Sequence, residues 1–263
     1  MEAPALYLPD GDGFVGTILT QGGWDPGAQN GAVVLALLGH RLEDVPTLAP
    51  MGLARLTVDL VRPMPIGVRL DVHVEVVREG KKLQVVLLEL RVGDVLHVRA
   101  TALRLRVTDL GAEGAALLPP TPTVEDAPAL PPPADCPRVG EAAGAPGFLR
   151  GIEMRRAAGL GVWIRLAVPV VAGEPIRATS RLTAGFDFAQ LINAEVERAM
   201  PVMTMINPDV SAHVLRPPTG DWTAVTGRTT FAATVGRGLS SATLSDAAGP
   251  FAIASTTQLV QPR

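Results

Sequence analysis

Few side chains in this sequence can do chemistry. Its 263 residues include one cysteine and four histidines. Cys136 stands among prolines, with no base or helix start nearby to lower its pKa, so it makes a poor nucleophile. A single cysteine cannot form an intrachain disulfide, nor a zinc site built on four cysteines or on paired cysteines and histidines. There is no Gly-x-Ser-x-Gly segment, which disfavours a serine nucleophile on an α/β-hydrolase elbow. His213 follows Asp209 by four residues on an expected strand, hence on the same face but about 13 Å away. That distance suits packing better than base catalysis. His40 falls at the end of an expected helix, where it suits the C-terminal dipole. What remains is chemistry done on water by carboxylate, hydroxyl and amide groups, with no metal site indicated.

Composition narrows the partners. The chain is 47% hydrophobic and 19% charged, with a formal net charge of −3, so disorder of the whole chain is not expected. Lys81 and Lys82 are the only lysines, and no basic stripe with interleaved aromatics suggests nucleic acid. The longest apolar run, residues 32–38, is too short to cross a bilayer. The start, Met1-Glu2-Ala3-Pro4, lacks the charged and apolar regions of a signal peptide. The expectation is a cytoplasmic protein with no membrane and no nucleic-acid partner.

The elements that must position the chemistry come in two sets. Nine prolines fall between Pro119 and Pro146, which excludes helix and central strand there. This divides the chain into an N-terminal unit (1–117), a connecting strap (118–146) and a C-terminal unit (147–263). In the first unit, turn chemistry at 24–31 precedes an apolar helix over 32–43. Strands are expected at 52–62, 67–78, 83–91 and 94–107, with good alternation in Leu70, Val72, Val74 and Val76. Short connections imply antiparallel pairing. The second unit repeats the plan: early strands in 151–170, a helix over 186–200, then strands at 209–216, 222–234, 239–245 and 250–260. Arg62-Pro63 and Arg216-Pro217 close equivalent strands 154 residues apart. One helix with an antiparallel sheet, twice over, is an α+β tandem repeat. A helix wrapped by a curved antiparallel sheet is the hotdog arrangement, so the expected fold is a double hotdog.

Several segments now carry a resemblance. They are Trp24-Asp25-Pro26-Gly27-Ala28-Gln29-Asn30-Gly31, Leu56-Thr57-Val58-Asp59-Leu60-Val61-Arg62-Pro63, Ile206-Asn207-Pro208-Asp209, His213-Val214-Leu215-Arg216-Pro217-Pro218 and Gly220-Asp221-Trp222. In order and spacing the chain resembles the TesB-like acyl-CoA thioesterase family over nearly its whole length outside the strap. The resemblance implies hydrolysis of an acyl thioester by a water held among Asp, Thr and Gln side chains of the second unit. It puts these on Asp209, Thr230 and Gln258, and finds Arg55, Val76 and Ala102 at the equivalent places of the first unit. Asp209 would serve as base or water orienter. Thr230 and Gln258 can both accept and donate, so they could fix the water.

The oxyanion would meet backbone N–H groups at the first helix start, near Asn30 and Gly31. Such a donor is worth roughly 3–4 kcal/mol in other acyl-transfer sites. Better known members resemble Gly-Gly-Gln at this point, whereas this chain reads Asn30-Gly31-Ala32. No cofactor is implied, since coenzyme A would be part of the substrate. The implied partner is an acyl thioester of coenzyme A or of a carrier protein, and a homodimer or higher oligomer is compatible with the fold. Two other readings stay open: a dehydratase, hydratase or cyclase on the same fold, and a non-catalytic acyl-binding protein.

Overall fold

A computed structural model describes residues 4–118, 130–190 and 202–263. The first half contains β1 (Tyr7–Asp10), β2 (Gly13–Gly16), α1 (Gly31–Glu43), β3 (Met51–Leu60), β4 (Arg69–Arg78), β5 (Leu83–Val92), β6 (Val95–Arg106) and α2 (Gly111–Leu117). The second contains α3 (Phe148–Gly151), β7 (Ile152–Ala157), β8 (Gly161–Leu166), α4 (Ala178–Ala184), β9 (Met203–Ile206), β10 (Asp209–Val214), β11 (Thr223–Ala232), β12 (Arg237–Asp246) and β13 (Gly249–Pro262).

The strands form one sheet in the order β1-β2-β4-β5-β6-β3-β10-β13-β12-β11-β8-β7, with β9 pairing with β13 beyond β10. The architecture is a double hotdog of α+β class. The halves join where β3 pairs antiparallel with β10, Thr57 facing Ser211. Those two residues are also 154 apart, the spacing of the Arg-Pro motifs. A local two-fold axis therefore passes between them, and in register the residues of β3, β5 and β6 have counterparts 154 positions away in β10, β12 and β13.

Alternation decides which side chains face the helices. In β5 it is Gln84, Val86, Leu88 and Leu90 that are buried, each two residues from the next. α1 is apolar all round and accordingly buried from Ala32 to His40. Its start is fixed by Asn30, whose Oδ1 accepts the Ala32 N–H at 3.0 Å. α4 crosses α1 at Gly39, where a Cβ would run into the Thr183 hydroxyl and the Thr179 backbone. Glycine is required there by this approach of two backbones.

The helix expected over 186–200 begins earlier. α4 already occupies Ala178–Ala184 and runs into a 3-10 turn, Gly185–Gln190. Residues 191–200 of that expectation lie outside the described residues. Thr179, Ser180 and Thr183 are weak helix formers, and packing supplies what propensity lacks. The Thr179 N–H donates to Glu43 Oε1 at 2.6 Å, and the Thr183 hydroxyl donates to the Leu35 carbonyl at 2.7 Å. β1, β2 and β9 are short strands whose sequences show no clear alternation and do not predict them. In the strap, the part after residue 129 lies along β7, with the Val139 N–H on the Met154 carbonyl at 2.8 Å.

Candidate active site

The three expected site residues do not come together. Gln258 is buried on the helix-facing side of β13, as is Thr256, while Thr257 between them is exposed. Asp209 lies on the other side: its Oδ1 accepts the Thr257 N–H at 2.8 Å and also the Thr257 hydroxyl. Thr230 is exposed and faces Leu239, itself 57% exposed. Asp209 and Thr230 thus sit on the outer face and Gln258 on the inner. The physical reason is the two-residue period of a strand, in which a shift of one position turns a side chain to the opposite face. His213 is exposed as well.

A different carboxylate is buried on the inner side. Asp187, in the 3-10 turn after α4, is buried among strands β10 to β13 and α1. Its Oδ1 accepts the Asn207 amide at 2.6 Å. It also stands against the start of α1: a Cβ on Gly31 would lie 2.6 Å from Asp187 Oδ1. Gly31 is therefore the residue that lets the first helix start touch a carboxylate of the second half. Burial pushes the Asp187 carboxyl up to about 6, against the lowering effects of the Asn207 hydrogen bond and the Ala32 N–H.

Asn207, bonded to Asp187, also lies next to Gln258 in the strand register. β9 pairs with β13 so that Ile206 faces Leu259. One residue further along both strands, Asn207 comes opposite Gln258. Gln258 is held from the other side, its Nε2 donating to the Ser240 hydroxyl at 3.3 Å, which in turn shares a 2.7 Å hydrogen bond with Thr229. Gly238 faces Gln258 across the strands, and a Cβ there would lie 2.5 Å from Gln258 Oε1. That oxygen is buried and has no partner among the described residues. The inner wall thus offers a carboxylate, an amide and an unused acceptor beside a helix start, whose first N–H groups suit a developing anion.

Asn207 and Asp187 escape a sequence reading for separate reasons. Asn207 precedes Pro208 and reads as turn chemistry. Asp187 does carry a signal, as a lone acid between Phe186 and Phe188 in a segment otherwise read as apolar. The first-half counterparts also differ from those expected. The 154-residue spacing puts Val33, Leu53 and Arg104 opposite Asp187, Asn207 and Gln258. The register agrees, since Leu53 faces Arg104 as Asn207 faces Gln258. Ala102, expected opposite Gln258, is therefore replaced by Arg104, while Arg55 stays the counterpart of Asp209 on the outer face.

Two other groups have structural roles. Arg216, of the repeated Arg-Pro motif, clamps Asp246 with contacts of 2.9 and 2.7 Å. Asp246 also accepts the Thr219 and Ala248 N–H groups at 2.6 and 2.8 Å. Despite its burial, these partners hold the carboxyl down near 2. His40 is buried near the C-terminal end of α1, where burial and the neighbouring Arg177 lower its pKa although Glu174 approaches to 3.1 Å.

Comparison with known proteins agrees with this architecture. The sequence model of the acyl-CoA thioesterase N-terminal domain matches residues 20–105, and that of the acyl-CoA thioesterase C-terminal domain matches residues 116–261. No curated protein matches the chain in sequence. Among solved structures, a hotdog-fold protein of unknown function from Alicyclobacillus acidocaldarius superposes with a TM-score of 0.72 at 18% identity, covering 98% of this chain and 95% of that one. A candidate thioesterase from Novosphingobium aromaticivorans gives 0.69 at 21% identity, with coverage of 97% and 98%. The tesB protein of Mycobacterium avium subspecies paratuberculosis gives 0.68 at 16% identity, with coverage of 95% and 93%. At these identities the structural likenesses bear on the fold. No described helix is long and apolar enough to cross a membrane.

Proposed function

The chain belongs to the acyl-CoA thioesterase family, and from that premise we propose that Asp187, Asn207 and Gln258 hold the water that hydrolyses the thioester bond of an acyl-CoA. The observation that carries this reading is the buried Asp187 carboxylate, bonded to Asn207 at the start of α1. A carboxyl raised to about 6 is ionised at neutral pH yet basic enough to take a proton.

In this mechanism Asp187 accepts a proton from the water as the water oxygen attacks the thioester carbonyl carbon. The Asn207 amide orients Asp187. Gln258 Oε1 accepts a hydrogen bond from the water's second O–H, which stays on oxygen, and fixes the direction of attack. The oxyanion points at the first turn of α1, where the peptide N–H groups and the helix dipole favour negative charge. Collapse breaks the C–S bond. The proton held by Asp187 passes to the leaving thiolate, giving a carboxylic acid and coenzyme A. Nothing in this sequence of steps needs the glutamine that Ala32 replaces, because the carboxylate reaches the helix start from the other half.

The test is release of free thiol from acyl-CoA substrates of graded length. Asp187→Asn is expected to lower kcat by about 10²–10⁴, the range of a lost general base. Gln258→Ala is expected to lose roughly tenfold or more, the scale of one lost oriented hydrogen bond. Asp209→Asn and Thr230→Ala, on the outer face, should stay within about twofold, as surface substitutions do. Full activity in Asp187→Asn would overturn the assignment.

A further inference from the structure

The two-fold axis makes a second inner wall in the first half, and that wall borders a cavity of about 730 Å³. The cavity opens at the C-terminal end of α1 and is lined by Met51, Leu53, Leu182 and Val214, with Arg104 and Arg106. α1 has 13 residues, so about 18 Å of helix separates this end from Asp187. We infer that this cavity is a second ligand site, for the carboxylate head and adjoining chain of an alkyl carboxylate. Such acids are the class of product that the proposed hydrolysis releases. Binding here depends on the cavity's own chemistry, while the ligand's origin in the reaction rests on the function proposed above.

The argument starts from what replaced the hydrolytic groups. Val33 and Leu53 stand at the counterpart positions of Asp187 and Asn207, so the aspartate–asparagine pair of the other half has no equivalent here; of the two, Leu53 lines the cavity, whose one carboxylate is Glu43. α4 supplies Ala178, Thr179 and Leu182 to the lining, and it extends the second helix over the position that in α1 is an open start. The wall can hold an acyl chain and lacks the Asp187–Asn207 pair.

The third replacement, Gln258 by Arg104, adds a cation. Arg104 is half-buried, and its Nη1 donates only to neutral acceptors: the Val45 carbonyl at 2.9 Å, Gln84 Oε1 at 3.0 Å and the Leu42 carbonyl at 3.4 Å. Among the described residues no carboxylate stands within 4.0 Å of it; Glu79 and Glu43 act on it only from further off, and burial lowers its pKa. Glu43, the acid of the cavity lining, has Oε1 engaged by the Thr179 N–H. Arg106 is exposed at the rim, where its Nε donates to the Thr108 hydroxyl at 3.2 Å. Arg216 is already neutralised by Asp246. A half-buried cation without a contacting counter-ion, beside an apolar wall, is matched by an anion carrying an apolar tail.

Calorimetric titration of the full chain with dodecanoate tests this, with dodecanol as the uncharged control. Saturable dodecanoate binding is expected, at least about tenfold tighter than dodecanol, a factor worth 1.4 kcal/mol. Arg104→Met should weaken it by a similar factor. Arg106→Glu, an exposed change that the fold tolerates, should weaken it several-fold and covers the case in which Arg104→Met does not fold. Asp187→Asn should leave this binding unchanged while lowering thioester turnover by about 10²–10⁴, which separates the two sites. The inference is overturned if dodecanoate does not bind, or if dodecanol binds equally. It is also overturned if Asp187→Asn alone removes the binding, or if the folded arginine variants leave it unchanged.

Discussion

Asp187 is an anion kept where anions are costly. Phe186, Phe188 and the inner faces of four strands shield it from bulk solvent, and its compensation is the Asn207 amide and the α1 start. The folded protein therefore holds the Asp187 proton more tightly than the unfolded chain does. Between about pH 4, the ordinary carboxylate range, and the folded value near 6, the folded form keeps a proton that the unfolded chain has lost. Stability contributed at this residue falls as pH rises across that window. Asp187→Asn removes the slope, so denaturant midpoints should show the variant gaining on the parent from about pH 4 to pH 7. Gln258 is legible in the sequence only through the family resemblance, which places a glutamine in the last strand. Asp209 and Thr230 are misplaced by a sequence reading because residue types do not fix which face of a strand turns inward.

At the scale of elements, the site depends on close approaches that only glycine permits. Gly31→Ala places a Cβ against Asp187 Oδ1. It should cost about 1–3 kcal/mol, as overpacking does, and lower turnover with it. The Arg216–Asp246 clamp ties the end of β10 to the turn between β12 and β13. Arg216→Ala leaves a carboxylate whose side chain is fully buried without its cation. That should cost about 3–5 kcal/mol by chemical denaturation. α1 is legible because it is apolar all round, and strands such as β5 and β12 because buried residues alternate along them, whereas β4 alternates in sequence but is exposed from His73 onward. α4 is not legible, since contacts to Glu43 and Leu35, far away in sequence, hold it.

The whole molecule is a pseudo-symmetric pair of halves joined in one sheet. The repeat is visible in the sequence through two Arg-Pro motifs. The join is not, because pairing β3 with β10 is a contact between distant segments with no local signature. That join makes one continuous sheet, so the halves should unfold together. Trp24 lies in the first half and Trp163 and Trp222 in the second. Fluorescence of a Trp24-only variant and of a Trp24→Phe variant should give coincident denaturation midpoints, the mark of a two-state transition. Separated midpoints would mean that the two halves are independent.

The central claim is that Asp187 is the base. The pH dependence of kcat/KM for acyl-CoA hydrolysis tests it most directly, because its acid limb reports the free enzyme's essential base. A single ionisation near pH 6 is expected, with activity rising to a plateau above it and that limb absent from the residual activity of Asp187→Asn. A flat profile through that region, or a limb that survives in Asp187→Asn, would contradict the account.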